Sequence, residues 1–425
     1  MYEQLRGKKL LILGAGPNEV TLVQRAQSFG VYTIATDYNL DYELSPAKKY
    51  ADEVWNISWS NLDTLEQLCR EKGVDGVLAG YSEFRVENMI RLCERLGLPC
   101  YITQEQLDIT RDKIKFKNAC RASGVPVVKE YPNVEAVDAF PVIVKPVDRA
   151  GSIGVGIATN PQELKQAYAY AMEMSVCKEV IIEEFIHKGT KIDVYYAVAD
   201  GRIMLLTSND VINAKDNGFD RVVQSAWVFP SRYHELFRQT VDADLRRMIR
   251  DMGIQNGYIF FSGFHEAGRF VFFEAGFRLC GGHIYNYLTR MGLGNNMDWL
   301  ICHALGGQIP DLPLHMEGVS DCKCVNINFY AKNGTIGEVR GFDEIKKEGC
   351  DFLLAEARVG QVCTQDTAIL SKLGMCYFCD PDPKVLVERI RDAYTRIAVT
   401  DTRGGDMIYD RIEAEQILSW WSEER

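Results

Sequence analysis

Between Pro141 and Gly156 the chain reads PVIVKPVDRAGSIGVG, an apolar run that ends in a lysine and passes into a glycine-rich loop. The small residues Ala150, Gly151, Gly154 and Gly156 let backbone approach a ligand and turn its N–H groups toward it. A fixed cation, Lys145, beside such a loop suits a polyphosphate, where each charge-assisted contact is worth roughly 1.5–3 kcal/mol. The lysine precedes the glycines on a predicted strand, whereas in a P-loop it follows them and opens a helix. This order predicts a nucleotide held between sheets, with residues 155–158 closing a hairpin.

Three more features accompany this stretch. Lys113 stands in Asp112-Lys113, at the start of a predicted helix. The strand VIIEEFI, residues 180–186, carries an acidic pair, and Glu274 precedes Arg278 by four residues ahead of Gly281-Gly282. Each has an ordinary explanation alone, since lysines are mostly solvated and a Glu near an Arg is often a plain ion pair. Together they supply two cations, an anion-binding loop, an acidic metal ligand and an arginine.

The elements that must position these groups are legible in outline. Residues 8 to about 105 alternate strand and helix: strands at 9–13, 32–36 and 76–79, helices at 19–29, 62–71 and 86–96. Such alternation predicts an open parallel sheet. Gly14 and Gly16 begin a dinucleotide fingerprint whose third glycine position holds Glu19, so the fingerprint is incomplete. Residues 127–200 read mostly as strands around one helix, 161–174. Val241, Leu245, Met248, Ile249 and Met252 recur at helical spacing and predict a core stripe. Strands flanking an Ala267-Gly268 turn lead into EAGFRLCGGH, and from about Pro310 an α+β segment suggests a small separate lobe closing on a helix at 383–396. Trp420-Trp421 predict packing of the chain end, with a subunit contact as the alternative.

Composition narrows the classes. The 425 residues carry 48 basic and 59 acidic side chains, a formal charge of −11, which disfavours a nucleic-acid partner. No apolar run approaches the roughly 18–20 residues of a membrane span. Thirteen cysteines without paired spacing, and no secretory signal, favour reduced thiols in a cytoplasmic setting.

In the order and type of these residues the chain resembles the ATP-grasp superfamily, the carboxylate–amine ligases that include biotin carboxylase and D-alanine–D-alanine ligase. The resemblance implies an α/β and α+β architecture: a Rossmann-like lobe at 1–108, a two-lobed ATP-grasp domain at 109–310 and a small C-terminal α+β lobe at 311–425. It implies ATP and Mg2+, small-molecule carboxylate and amine substrates, and a possible homodimer. Lys113 and Lys145 are similar to the family's two phosphate-contacting lysines. Residues 149–156, including Ala150, Gly151, Ser152 and Gly154, are similar to its phosphate lid. Glu183, Glu184, Phe185 and Ile186 occupy the segment that meets adenine, partly through backbone groups. Glu274 matches the magnesium-binding glutamate, and Arg278 the arginine near phosphate and acceptor carboxylate.

The chain departs from the family at three places. Gly276 stands where an asparagine is usual, and Ser262 where a second metal carboxylate is usual, twelve residues before Glu274. The ribose-binding acid falls on Lys191 in the simplest alignment, with Asp193 two positions later as the candidate. Two readings from different classes follow: an ATP-dependent ligase, or an ATP-binding protein whose thinned metal site leaves it without ligase activity. A nicotinamide oxidoreductase using the first lobe is a third. Among the histidines, His283 is expected to be a hydrogen-bonded structural residue, with a substrate contact as the alternative, His265 is expected near an exposed hairpin turn and His234 at a helix start. Asn213, Lys215 and Arg221 are candidate anion contacts in a segment, 208–232, that would set specificity.

Overall fold

The computed structural model describes residues 2–149, 153–214, 223–317, 322–364 and 372–421. The chain opens on strands β1 (Lys9–Leu13), β2 (Tyr32–Thr36), β3 (Glu53–Trp55) and β4 (Gly76–Leu78), with helices α1 (Pro17–Gln27), α2 (Leu62–Lys72) and α3 (Glu83–Leu96) between and after them. The strands are parallel, in the order β3-β2-β1-β4, and β1, the central one, is buried from Leu10 to Leu13. This is the predicted open parallel sheet, whose runs of apolar residues reflect burial on both faces.

Two helices lead out of this lobe: α4 (Gln104–Arg111) and α5 (Lys113–Ala122). Asp112 caps α5, its carboxylate accepting from the amides of Ile114 and Lys115, both at 2.9 Å. That cap is why the helix begins at Lys113. A four-stranded antiparallel sheet follows, built from β5 (Glu130–Tyr131), β6 (Val142–Pro146), β7 (Gly156–Ala158) and β8 (Val180–Glu184) in the order β5-β8-β6-β7. Helix α6 (Pro161–Met174) covers one face through Leu164, Ala167 and Ala171, which meet Val142, Val144, Ala158 and Ile182. Because strand residues alternate faces, burying Val142 and Val144 under α6 turns Lys145 to the opposite side.

Strands β9 (Thr190–Ala199), β10 (Arg202–Asn213) and β11 (Gln224–Phe229), helices α7 (His234–Thr240) and α8 (Asp242–Asp251), and strands β12 (Gly257–Glu266) and β13 (Arg269–Gly276) build the facing lobe. Helices α9 (Tyr285–Arg290) and α10 (Asn296–Ala304) then return to the first lobe, where Arg25 of α1 holds Asp298 through two hydrogen bonds of 2.6 and 2.7 Å. The remaining elements are β14 (Lys323–Tyr330), β15 (Gly334–Arg340), α11 (Phe342–Glu348), β16 (Phe352–Ala355), β17 (Val362–Cys363), β18 (Lys372–Asp380), α12 (Pro383–Arg396) and β19 (Ala398–Asp401).

Eight of these strands form one antiparallel sheet, β13-β12-β9-β10-β11-β14-β18-β16. The C-terminal segment is therefore less separate than expected from composition. It has its own core, around Ile336, Leu386 and Ile390, but β14 pairs directly with β11, and Ala226 and Val228 of β11 sit in that same core. Nothing local in the sequence announces such a pairing, because the two strands are almost a hundred residues apart.

Other expectations hold. Leu245, Met248 and Ile249 are buried against the large sheet, and Val241 and Met252 pack beside them. Trp420 and Trp421 pack inward, their indole N–H groups donating to Asp210 Oδ2 at 2.9 Å and Pro230 O at 3.0 Å. His265 is a correction. It is buried, with its ring 3.8 Å from that of Tyr233 and 4.8 Å from that of Phe270, because β12 carries it inward before the Ala267-Gly268 turn.

Candidate active site

The two lysines, Glu274 and Arg278 come from four different elements and converge on one cleft between the small sheet and the large one. Lys113, on the first turn of α5, donates to Arg149 O at 2.8 Å and Val147 O at 3.3 Å, the backbone that enters the glycine loop. Burial lowers its pKa, opposed by the nearby Glu274 carboxylate, with Lys145, Glu183 and Glu83 also within electrostatic reach. Lys145 points into the cleft, 5.4 Å above the ring of Phe273, and donates to Glu183 Oε2 at 2.7 Å. The turn after β6 needs Gly154, whose φ of +75° and close approach to Pro146 exclude a side chain. Ala150, Gly151 and Ser152 of the expected lid lie outside the described residues, as do Lys215 and Arg221.

Glu274 lies at the cleft edge of β13 and is exposed. Directly opposite it across the ladder is Ser262, and opposite Ser262 on its other side is Asp193 of β9. Directly opposed residues share a face, so the three lie in a row. Ser262 does not face the cleft as a free hydroxyl; its Oγ donates to Asp193 Oδ1 at 2.6 Å. Asn209 donates to Asp193 Oδ2 at 3.3 Å, and Lys191 Nζ lies 3.7 Å from Oδ1. Asp193 is thus buried and engaged within the sheet.

Gly276 has a packing reason. A Cβ there would fall 2.3 Å from the Phe260 ring, and that ring carries the guanidinium of Arg278 at 5.6 Å. Arg278 also donates to Leu279 O at 3.1 Å and pairs with Glu83 of the first lobe at 3.2 Å, while its Nε is buried and unpartnered among the described residues. Glu274 is thus the one exposed carboxylate of this three-residue row, and no group of three or more His, Cys, Asp or Glu side chains converges among the described residues. This fits magnesium held on a nucleotide, which keeps waters and takes one or two carboxylates beside phosphate oxygens.

The acidic strand is largely committed inside the protein. Glu183 is buried and spends both oxygens on lysines, Oε2 on Lys145 and Oε1 on Lys117. Burial would raise its pKa, but Lys145 and Lys117 hold it below the ordinary carboxylate value. The amides of Glu184 and Phe185 donate to Lys129 O and Pro141 O, the Glu184 side chain pairs with Arg269 at 3.6 Å, and Ile186 packs with Val128 and Val271. Each carboxylate oxygen of Glu183 is thus already paired with a lysine.

Sequence reading missed Lys117 and Glu83. Lys117 had a signal, one helical turn beyond Lys113 on the same helix face, whereas the pairing of Glu83 with Arg278 spans 195 residues and has none. His283 is buried, with Nε2 2.9 Å from Asn18 Oδ1 and Nδ1 2.9 Å from Tyr285 OH. Its ring joins the first turn of α1 to the Gly281-Gly282 turn. Both nitrogens are used, and burial lowers its pKa to about 3, so it holds the lobes as a neutral imidazole. His234 does start α7, bonded to Ser208 Oγ at 2.7 Å. The incomplete dinucleotide fingerprint is closed off: a Cβ on Gly14 would meet Arg85 Nη1 at 2.3 Å, and Arg85 is paired with the buried Glu19 at 2.7 Å.

A parallel lobe followed by two sheets that close on a cleft lined by Lys113, Lys145 and Glu274 is the ATP-grasp fold. Residues 115–251 match the family model for the D-ala D-ala ligase C-terminus. In sequence the chain is similar to the formate-dependent phosphoribosylglycinamide formyltransferase of Francisella tularensis subsp. novicida, 27% identical over 197 residues that cover 42% of this chain and 48% of the relative. The matched stretch thus spans about half of that relative's length. In structure it is similar to the biotin carboxylase domain dimer of Hydrogenobacter thermophilus 2-oxoglutarate carboxylase, in complex with MgADP, ADP and bicarbonate, at a TM-score of 0.76 and 20% identity, covering 97% of this chain and 93% of the other. The L-amino acid ligase from Bacillus licheniformis superposes with a TM-score of 0.75 and 17% identity, covering 93% and 99%.

Proposed function

We propose that this protein is an ATP-dependent ligase that activates a small carboxylate as an acyl-phosphate and joins it to an amine. The observation that carries this reading is the convergence of Lys113, Lys145, Glu274 and Arg278 on one cleft. Both lysines would take phosphate oxygens, and Arg278, braced by Glu83 and with part of its side chain exposed, would offer a remaining guanidinium N–H to the carboxylate or the transferred phosphoryl group. Mg2+ held by Glu274 and the phosphates would supply charge neutralisation as the γ-phosphoryl moves. The substrate carboxylate oxygen attacks the γ-phosphorus and ADP leaves; the amine nitrogen then attacks the acyl carbon, and phosphate leaves as the nitrogen gives up a proton. The fixed cations favour this path because negative charge develops where they already point.

A C–N bond-forming role is supported by the L-amino acid ligase among the structural relatives. A cytoplasmic setting is supported by thirteen free cysteines, and a homodimer by the dimeric structural relative. No helix among the described residues is long and apolar enough to cross a membrane.

The test is a screen for ADP and phosphate release with ATP, Mg2+ and mixtures of carboxylic acids and amines. Lys145→Ala should lose at least about tenfold in ATP affinity or turnover, the cost of one charge-assisted contact. Unchanged hydrolysis in that variant would reject the assignment of Lys145. A second reading, nucleotide binding without ligation, is favoured by Ser262 and Gly276. It expects a calorimetric ATP signal and no acid- and amine-dependent ADP release.

A further inference from the structure

Lys117 and Lys113 lie one turn apart on α5, yet only Lys113 reaches the glycine-loop backbone. The Lys117 side chain is fully buried, and its ammonium contacts Glu183 Oε1 and lies 3.2 Å from Glu130 Oε1. Glu183 gives its other oxygen to Lys145, which keeps 17% of its side chain exposed to the cleft. On the far side, Arg121 closes on Glu130. A single relay therefore runs from the surface to the cleft: Arg121, Glu130, Lys117, Glu183, Lys145.

The signs along this relay alternate and sum to +1, three cations against two carboxylates. With Lys117 present, Glu183 is shared between two ammoniums, and Lys145 retains positive charge to offer the cleft. Remove Lys117 and the sum falls to zero. Glu183 is then left with Lys145 as its one direct ion-pair partner among the described residues, in a buried setting where a lone pair is held tightly. An incoming polyphosphate would have to compete with that carboxylate. Excess acid in the relay would likewise withhold Lys145, and excess base would release it.

We propose that Lys117 is a positioning residue: it touches no ligand, but by engaging Glu183 it keeps Lys145 both aimed and uncompensated for a polyphosphate. This rests on the nucleotide reading above and adds to it a residue that neither the motif nor the relatives assign.

Calorimetric titration with the non-hydrolysable analogue adenylyl imidodiphosphate, and separately with adenosine, tests it. Lys117→Met should weaken the analogue at least about fivefold and leave adenosine unchanged, since the missing charge acts on phosphates alone. In a Lys145→Met background the same change should cost less than about twofold, because the two lysines act as one unit. Lys117→Arg should restore the analogue. Should Lys117→Met fail to fold, Glu130→Gln serves in its place: Glu130 is 23% exposed, and its loss raises the relay to +2. That variant should tighten the analogue by about twofold or more. Equal losses for analogue and adenosine, multiplicative losses in the double variant, or weaker binding in Glu130→Gln would each overturn the proposal. If the wild-type protein binds no analogue, the nucleotide reading fails and this inference with it; binding with no coupling sinks the inference alone.

Discussion

Arg278 is held by three unlike contacts: the ring of Phe260, the carboxylate of Glu83 and the carbonyl of Leu279. A planar guanidinium can satisfy all three and still aim a further N–H into the cleft, which an ammonium cannot do. Arg278→Lys is therefore expected to lower turnover at least about tenfold while leaving nucleotide affinity within about twofold, read as a split between kcat and KM. Glu274 is the cleft's exposed acid on β13 and faces a serine rather than a second acid across the ladder. Glu274→Gln should lower metal-dependent ADP release at least about tenfold, the scale of removing one electrostatic contact to developing charge. Retained activity would move the metal elsewhere. The placement of these two side chains was half legible in the sequence. EAGFR marks the acid and the arginine by local spacing, but the brace from Glu83 comes from another lobe.

At the level of elements, β12 and β13 show why the chain departs from the resemblance that led to it. Position 276 is glycine because Phe260, on the neighbouring strand, fills the space a side chain would need. Gly276→Asn should thus destabilise the protein by about 1–3 kcal/mol through overpacking, seen as a lowered Tm, rather than improve the metal site. A tighter metal site with unchanged Tm would show that the ring yields. The exchange is between neighbours in space, Phe260 for Asn, and a single strand read alone cannot reveal it. By contrast the start of α5 was readable, since Asp112 and the helix it caps are contiguous.

For the whole molecule, the first lobe and the large sheet share one apolar core, and long-range polar contacts, among them His283 with Asn18, join them as well. Its folded pKa, about 3, lies below the ordinary histidine value. Below pH 6.5 the unfolded chain binds a proton that the buried ring refuses, so the stability this neutral histidine contributes is complete above about 6.5 and is lost as pH falls toward 3. The wild-type Tm is expected to fall across that window, and His283→Asn, which tolerates the left-handed φ of +54°, should flatten part of the slope. An identical slope in the variant would assign the acid sensitivity to other groups, such as His234, whose pKa burial lowers to about 4.

Composition, spacing and caps were enough to define the alternating first lobe, the lysine-bearing strand, the capped entry of Lys113 and the Glu274–Arg278 motif, because each depends on residues within a few positions of one another. Pairing decided the rest. The addition of C-terminal strands to the large sheet, the sharing of Glu183 between two lysines, the hydrogen bond that draws Ser262 toward Asp193 and the clamp on Arg278 all join residues tens to hundreds of positions apart. Closing such contacts costs chain entropy that is repaid only when many form together, so no local pattern records them, and they exist only in the folded chain.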